Sequence, residues 1–500
     1  MSDAMPPSSP PNRELEPLDV LIVGAGLSGI GAAHHLQQRC PGKRFAIVEK
    51  RASIGGTWEL FRYPGVRSDS DMYTLGYAFR PWTDAQAIAD GPSILRYIRA
   101  TAEEGGIVAK IRFGHVVRSA EWSSAEALWT VHGERVDDGA PVTWRARFLH
   151  VCSGYYSYDE GHRPAFEGES AFAGRLVSPQ FWPEALDVDG KRIVVIGSGA
   201  TAVTLVPALA ASAAHVTMLQ RSPSYIVARP RRDPIAHWLR RHLPERLAYA
   251  ATRWKNVFLQ AYFYRLARRR PEYFAQRIVA LAAEQLGPGC DVGVHFTPRY
   301  KPWDQRLCLV PDGDLFAAIR AGRAAVVTDS IDRFVADGIR LASGETLRAD
   351  IVVVATGLKL NLLGDIAISV DGRPRRASEA MVYKGMMLSD VPNLALCFGY
   401  VNASWTLKAD LTAEYVCRLL RHMDRRGATI VVPRSDPSVG VLPFLSFTSG
   451  YVQRATAILP KQGTRRPWQV HQNYFMDMLA LRFGRIDDGV LRFGRAGTMP

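Results

Sequence analysis

LDVLIVGAGLSGIGAAHHLQQRCPGKRFAIVEK, residues 18–50, predicts a strand, a glycine turn, a helix and a second strand that ends in an acid. Gly24 permits the tight turn, Gly26 lets the backbone approach a pyrophosphate, and Gly29 lets the helix pack closely on the strand. The helix N-terminus offers free N–H groups to phosphates. Glu49 follows the third glycine at the spacing where an acid accepts hydrogen bonds from ribose hydroxyls. The stretch therefore predicts dinucleotide binding; the alternative is a glycine-rich turn in an ordinary α/β domain.

A second unit of the same kind begins at Lys191. A predicted strand leads into the turn Gly197–Ala202, which has the G-x-G-x-x-A variant of the motif, and then into a predicted helix. The next strand ends in Gln220-Arg221-Ser222, with no acid. An arginine at this position suits a ribose that carries a 2′-phosphate, which an acid would repel. The second unit is therefore predicted to prefer NADPH over NADH, unless Arg221 is purely structural.

Composition predicts a globular protein of two or three domains, because the chain has 500 residues, of which 47% are hydrophobic and 22% charged. No run approaches the ~20 apolar residues that a membrane span needs. Residues 1–17 are rich in Pro and Ser and predict a disordered leader, not a signal peptide. The six cysteines form no C-x-x-C pair, which argues against a zinc site and indicates reduced cytoplasmic thiols. We therefore expect no metal and a cytoplasmic location.

Basic residues exceed acidic ones, 62 to 48, which gives a net charge of +14. No recognisable nucleic-acid motif accompanies this excess, so no nucleic-acid partner is predicted. In residues 229–275, arginines alternate with Trp, Phe and Tyr. Two interpretations stay open: a basic amphipathic surface that contacts anionic lipid, or a helical insert that packs its aromatic side chains inward. The second is favoured, and peripheral membrane contact is the alternative.

Several motifs resemble those of the type I Baeyer–Villiger flavin monooxygenases. Residues 172–183, FAGRLVSPQFWP, are similar to the F-x-G-x-x-x-H-x-x-x-W-P fingerprint of that family, with Ser178 in place of the histidine. GGTW (55–58), RYPGVRSDSDMYTLGY (62–77), PWDQR (302–306) and NASWT (402–406) look like its ethionamide-activating branch. The resemblance covers about residues 18 to 495. The departure at Ser178 bears on how tightly hydride transfer is coupled to oxygenation.

The resemblance implies an α/β fold with two Rossmann-like dinucleotide-binding domains, one for FAD and one for NADP, and a helical insert. The expected division is a leader at 1–17, the FAD-binding domain at 18–155 and 346–500, and the NADP-binding domain at 156–345 with an insert at about 229–290. The implied enzyme is an FAD-containing, NADPH-dependent monooxygenase. With O2 it would insert oxygen beside a ketone carbonyl through a C4a-peroxyflavin, giving an ester or lactone.

The resemblance also implies site residues. Arg306 matches the catalytic arginine, and Asp69 matches the acid that pairs with it. Positions that match FAD contacts are Ser28, Glu49, Thr57, Trp58, Glu59, Leu60, Asp69 and Val117. Arg67, Ser68 and Asp69 match the place where nicotinamide approaches the flavin. The NADP phosphate positions are Gly197, Ser198, Gly199, Ala200, Thr201, Ala202, Val203, Arg221 and Ser222. Trp405 and Trp468 are weaker candidates for the substrate pocket.

Two other activities stay open on the sequence. One is a heteroatom oxygenase that acts on sulfides, thioamides or amines. The other is an uncoupled NADPH oxidase or a flavin-binding regulator without an oxygenated product, which Ser178 supports and the retained Arg306 and Asp69 oppose.

Overall fold

A nine-stranded sheet contains the first glycine turn. The computed structural model describes residues 16–498, so nearly all of the predicted leader lies outside the described residues. In this sheet the strand Leu18–Val23 pairs in parallel with Phe45–Val48 on one side and with Pro141–Val151 on the other. The remaining strands of the sheet are Ile111–Arg112, His115–Ser123, Leu128–Arg135, Ala367–Val370, Arg373–Arg375 and Leu394–Leu396. Leu21 and Ile22 are fully buried because both faces of the strand are covered.

A five-stranded, all-parallel sheet contains the second turn. Its strands, in spatial order, are Ala324–Thr328, His215–Gln220, Arg192–Ile196, Ile351–Val354 and Arg175–Val177. The expected end of the second domain at residue 345 needs correction, because Ile351–Val354 pairs with Arg192–Ile196 in this sheet. The other domain boundaries stay predictions.

Small sheets complete the strand inventory. In the described part of the chain, five of them have two strands: Ile226–Arg229 with Cys308–Pro311, Tyr156–Gly161 with Leu358–Leu360, Val382–Tyr383 with Met387–Leu388, Ile430–Pro433 with Leu491–Gly494, and Val441–Pro443 with Lys461–Gly463. The sixth has three strands, in the order Ile331–Val335, Gly338–Leu341 and Thr346–Arg348. The pair Tyr156–Gly161 and Leu358–Leu360 lies where the chain leaves and re-enters the first unit.

Helices cover the sheets and follow both glycine turns. The α-helices are Leu27–Arg39, Thr57–Leu60, Met72–Leu75, Gly91–Glu104, Ala200–Leu209, Pro234–His242, Glu245–Arg269, Pro271–Leu286, Val292–His295, Asp314–Arg320, Trp405–Arg426, Gly450–Ala455 and Tyr474–Met478. A π-helical turn, Leu479–Phe483, extends the last one, and 3-10 turns lie at Val108–Lys110, Glu169–Ala171, Pro179–Phe181 and Ala377–Glu379. Pro207 lies inside the helix that follows the second turn, as the sequence allowed.

The predicted helical insert consists of Pro234–His242, Glu245–Arg269 and Pro271–Leu286. The favoured interpretation, that its aromatic side chains pack inward, is wrong for most of them. Phe258 and Tyr262 have more than half of their surface exposed. The buried side of the long helix instead carries small and polar residues such as Thr252 and Asn256.

Within the part of the chain that the structure describes, no helix is long and apolar enough to cross a membrane. The same residues contain no cluster of metal-ligating side chains.

Candidate active site

The backbone of the first glycine turn faces a groove and is not covered by side chains of the described residues. Gly24 has φ = +103°, and a Cβ there would lie 2.6 Å from the carbonyl oxygen of Cys152. A side chain at Gly29 would overlap the carbonyl oxygen of Gly24. A Cβ on Gly26 would lie 3.5 Å from the Cα of Gly56, in the separate short turn at Gly55 and Gly56. The two turns therefore face each other closely, without side chains between them.

Glu49 lies at the end of the second strand, where its carboxylate is fixed. One oxygen accepts the backbone N–H of Ala25 at 2.6 Å, and the other accepts that of Arg51 at 2.9 Å. Burial raises the pKa of Glu49, and these two hydrogen bonds oppose that shift. An acid held in this way can still accept from a ribose hydroxyl, because each carboxylate oxygen has a second lone pair.

A cavity of about 350 Å³ opens beside the turn and reaches into the interior. Predicted site residues that line it are Gly24, Gly26, Ser28, Glu49, Thr57, Trp58, Arg67, Ser68, Asp69, Val117, Ala200 and Arg306. Gly29, Glu59 and Leu60 are buried beside it and are not among the lining residues. Glu59 is instead engaged by Arg51 and Arg62. The cavity thus collects most of the predicted FAD positions with both predicted catalytic residues.

The Arg306–Asp69 ion pair lies on the cavity wall. Nε of Arg306 is 2.8 Å from Oδ2 of Asp69, although the two residues are far apart in the chain. Each side chain exposes about a third of its surface, and both line the cavity. The carboxylate of Asp69 raises the pKa of Arg306 above its ordinary value, against the opposing effect of desolvation. The guanidinium is therefore a permanent cation that faces the cavity.

Two stacked aromatic side chains, Trp405 and Tyr155, complete the cavity wall. Nε1 of Trp405 donates to Oγ of Ser28 at 2.8 Å. Tyr155 stacks on Trp405 with ring centroids 4.9 Å apart, and burial raises the pKa of its phenol. Trp405, a weaker candidate from the sequence, thus lines the cavity, whereas the only sequence signal for Tyr155 is its place after a buried strand. Trp468 is buried against Tyr383 and is absent from the cavity lining.

The second glycine turn is open at its tip. Gly197 has φ = +131° and packs so closely on Ala355 that a side chain would overlap it. Nothing lies within 4 Å of the position that a Cβ on Gly199 would take. Oγ of Ser198 donates to the carbonyl oxygen of Ser222 at 3.1 Å, which joins the turn to the end of the next strand.

The remaining positions of the second unit fall into two groups. Arg221 and Ser222 are exposed at the end of the strand His215–Gln220, beside the turn. Ala202 and Val203 are buried in the core, while Ala200 is exposed and lines the cavity of the first unit. Thr201 is half-buried. The turn and Arg221 thus leave an open surface for a phosphorylated ligand.

Two segments join the units next to the cavity. Arg67 pairs with Asp314 at the start of the helix Asp314–Arg320, with Nη2 and Oδ1 3.2 Å apart. Ser68 is buried, and its hydroxyl donates to the carbonyl oxygen of Ser70 at 2.7 Å. Ser178 precedes a 3-10 turn whose Gln180 is buried and donates to the carbonyl oxygen of Ser157 at 2.9 Å. The fingerprint segment is therefore attached through Gln180 to the strand Tyr156–Gly161, where the chain leaves the first unit.

A buried polar atom with no hydrogen-bond partner among the described residues indicates that the cavity suits a bound cofactor. Oγ of Ser153 is buried on the cavity wall and has no hydrogen-bond partner among residues 16–498. Buried hydroxyls are nearly always hydrogen-bonded, so this oxygen is available to a ligand. The turns at residues 24–29 and at Gly55 and Gly56 leave room for a pyrophosphate, and the fixed carboxylate of Glu49 can accept from a ribose hydroxyl. The residues present therefore fit FAD.

The chain is similar in sequence to known proteins. Residues 22–88 match the family described as NAD(P)-binding Rossmann-like domain. FAD-containing monooxygenase EthA of Mycobacterium tuberculosis is 58% identical over 482 residues, which cover 96% of this chain and 98% of that protein. The probable FAD-binding monooxygenase AlmA of Acinetobacter baylyi is 48% identical over 483 residues and covers 96% of both chains.

Solved structures share the fold. A steroid monooxygenase in oxidised form bound to NADP aligns with a TM-score of 0.73 and 22% identity, over 96% of this chain and 99% of that one. An open crystal structure of cyclohexanone monooxygenase aligns with a TM-score of 0.72 and 20% identity, over 95% and 99%. The predicted α/β class with two Rossmann-like units is confirmed, and the predicted FAD and NADP agree with the ligands that these proteins' names and titles give. Because its identity to EthA extends over 96% of its length, the chain belongs to the EthA-type FAD-containing monooxygenases.

Proposed function

We propose that the chain is an NADPH- and O2-dependent Baeyer–Villiger monooxygenase that inserts oxygen beside a ketone carbonyl and releases an ester or a lactone. The observation that carries this proposal is the Arg306–Asp69 pair, 2.8 Å apart, on the wall of the same cavity as the first glycine turn. An arginine–aspartate pair is ordinarily a structural salt bridge. Its position facing a cavity beside a dinucleotide motif is what supports a role in the reaction.

FAD, once reduced by NADPH, supplies the chemistry that activates O2 and provides the oxygen atom to be transferred. Gly24 makes the tight turn, Gly26 and the start of the helix Leu27–Arg39 would offer backbone N–H groups to its pyrophosphate, and Glu49 would accept from its ribose. Ser153 and Ser28 lie on the wall where they can donate to it. The turn at Gly197–Gly199 would receive the phosphates of NADPH, and the guanidinium of Arg221 would supply a cation for a 2′-phosphate.

Arg306 stabilises the negative charge that develops on the substrate's carbonyl oxygen as that carbon is attacked. A cation that is already fixed in the cavity wall does this without reorganisation during the reaction. Asp69 acts as a positioning residue, because its bond to Nε leaves the other guanidinium nitrogens free to face the cavity. Tyr155 and Trp405 exclude water from one side of the cavity.

A second candidate is oxygenation of a sulfide, thioamide or amine at the same site. The sequence resemblance to the ethionamide-activating branch favours it, because ethionamide is a thioamide. A sulfur substrate accepts oxygen without a developing alkoxide, so this reaction depends less on Arg306. The two candidates therefore differ in what a loss of Arg306 does.

The test is a product assay with matched ketone and sulfide panels. Purified, FAD-loaded protein is mixed with NADPH, O2 and linear, cyclic and aryl ketones beside the corresponding sulfides. NADPH loss, hydrogen peroxide and oxygenated product are followed together. We expect ester or lactone to form in proportion to NADPH consumed. Sulfoxide without ester from any ketone would replace the first proposal with the second, and peroxide alone across both panels would favour an uncoupled oxidase.

A further inference from the structure

Two neighbouring helices present rows of exposed apolar side chains. In Glu245–Arg269 the residues Trp254, Phe258 and Tyr262 are spaced by four, so they lie on one face of the helix. Phe258 and Tyr262 are 58% and 60% exposed. In the C-terminal helical segment, Leu479 and Phe483 are likewise spaced by four and are 57% and 72% exposed. Exposure of this extent is unusual for large apolar residues that lie together.

The two rows form one surface. Phe475, one turn before Leu479, has its ring centroid 5.1 Å from that of Phe258 and 6.3 Å from that of Trp254. Phe475 therefore joins the two rows. We name this area the aromatic face and define it as Trp254, Phe258, Tyr262, Phe475, Leu479 and Phe483.

Arginines surround the aromatic face without compensating acids. Arg265 and Arg269 are exposed and continue the row of Tyr262 along the helix. Arg246 lines a groove of about 410 Å³ that also includes Trp254. None of these three arginines forms an ion pair with any residue between 16 and 498. The aromatic face is therefore bordered by uncompensated positive charge.

We propose that the aromatic face docks on the surface of an anionic lipid bilayer. Aromatic side chains with adjacent Lys or Arg are favoured at the membrane interface, where the rings enter the headgroup region and the cations meet lipid phosphates. A second copy of the chain fits less well, because a symmetric contact would bring the same uncompensated arginines together. The absence of a membrane-crossing helix among the described residues makes the contact peripheral.

The opposite face of the long helix packs next to the candidate active site. Asn256 and Gln260 donate to the carboxyl group of Asp71 at 2.9 and 3.0 Å, two residues after Asp69. Docking would therefore hold the cavity close to the bilayer, where lipophilic substrates concentrate. This consequence for substrates rests on the proposed function, whereas lipid binding does not.

Vesicle flotation of the FAD-loaded protein tests the proposal. One set of vesicles contains equal parts of phosphatidylglycerol and phosphatidylcholine, and the other contains phosphatidylcholine alone. We expect flotation with the first set only, weakened when salt rises from about 0.1 to about 0.5 M, because screening shortens the range of the charges. Arg265→Gln with Arg269→Gln should weaken binding by about tenfold or more. Phe258→Ser with Tyr262→Ser should abolish it.

Matched pairs elsewhere on the surface serve as controls. Arg373→Gln with Arg375→Gln removes two exposed arginines, and Val136→Ser with Val441→Ser removes two exposed apolar side chains. Both control pairs should float like the parent, and every variant should keep its rate of NADPH oxidation. The proposal is overturned if the parent does not float, if the control pairs lose binding equally, or if the aromatic-face pairs change only the sedimentation coefficient. That last result would assign the face to a second copy. Because flotation needs no turnover, a failed ketone assay does not affect it.

Discussion

Arg306 is the residue whose removal should separate cofactor chemistry from product formation. We expect the Arg306→Ala variant to keep its FAD, and NADPH should still reduce that flavin. Ester formation should fall by about 100-fold or more, because the variant lacks the fixed positive charge opposite the developing oxyanion. Since Asp69 raises the pKa of Arg306, the cation persists at alkaline pH and contributes no loss of rate there. Product yield per NADPH consumed is the measurement, with Arg306→Lys as the control for charge. Normal ester yield from the alanine variant would remove Arg306 from the reaction.

Arg221 should decide between NADPH and NADH. It is exposed at the end of its strand, where no acid competes for the ribose. We expect Arg221→Ala to raise KM for NADPH by about tenfold or more and to leave KM for NADH nearly unchanged, because only NADPH has the phosphate that the guanidinium binds. Steady-state NADPH and NADH oxidation measure this. Arg175→Ala, at another exposed arginine of the same sheet, is the control. An equal change for both coenzymes would contradict the assignment.

Ser178 is the residue where the chain departs from the fingerprint. It is half-buried and directly precedes the 3-10 turn that Gln180 attaches to the strand Tyr156–Gly161. We expect Ser178→His to raise the ratio of oxygenated product to hydrogen peroxide, because the larger side chain adds a contact between the linker and its surroundings. Ser178→Ala, which adds none, should leave the ratio unchanged. If both variants behave like the parent, coupling does not depend on this position.

At the scale of elements, the helix Glu245–Arg269 supports the candidate site through its buried side. The side chain of Asp71 accepts from Thr74, Asn256 and Gln260. We expect Asn256→Leu with Gln260→Leu to lower the thermal unfolding midpoint by about 5 °C, because a buried acceptor then loses two of its donors. Arg265→Leu with Arg269→Leu, on the exposed side of the same helix, should shift it far less. Equal shifts would mean that the Asp71 contacts do not stabilise the fold.

The same helix shows what the sequence could not predict. Glycine spacing, apolar strands and the final acid predicted both Rossmann units, because each local feature has its own physical reason. In Glu245–Arg269, by contrast, aromatic residues occur around much of the helix, so periodicity could not decide which side faces the protein. The side that is buried carries Arg253, Asn256 and Gln260, and their partners at 71–76 lie far away in sequence. Tertiary hydrogen bonds, together with the buried side chains of Tyr249 and Val257, orient this helix.

At the scale of the whole molecule, the cavity is assembled from distant parts of the chain. The first turn, the segment 67–70, Ala200 of the second unit, Arg306 and Trp405 all line it. The motif resemblance predicts that Asp69 pairs with Arg306. The bond between Trp405 and Ser28, and the stacking of Tyr155 on Trp405, depend on packing between the C-terminal helix and the first unit. No local pattern encodes such packing.

The ion pair between Arg67 and Asp314 should couple the two units in function, because it joins a cavity residue to a helix of the second unit. We expect Asp314→Asn to keep FAD content but to slow flavin reduction by NADPH about tenfold, since Arg67 loses the charged partner that orients it. Stopped-flow absorbance at the flavin band under anaerobic conditions measures the rate. Asp312→Asn, at an exposed pair 3.8 Å from Arg231, should leave it unchanged. If flavin reduction proceeds at the parent rate while the unfolding midpoint falls, the pair stabilises the assembly of the units without setting the approach of the nicotinamide.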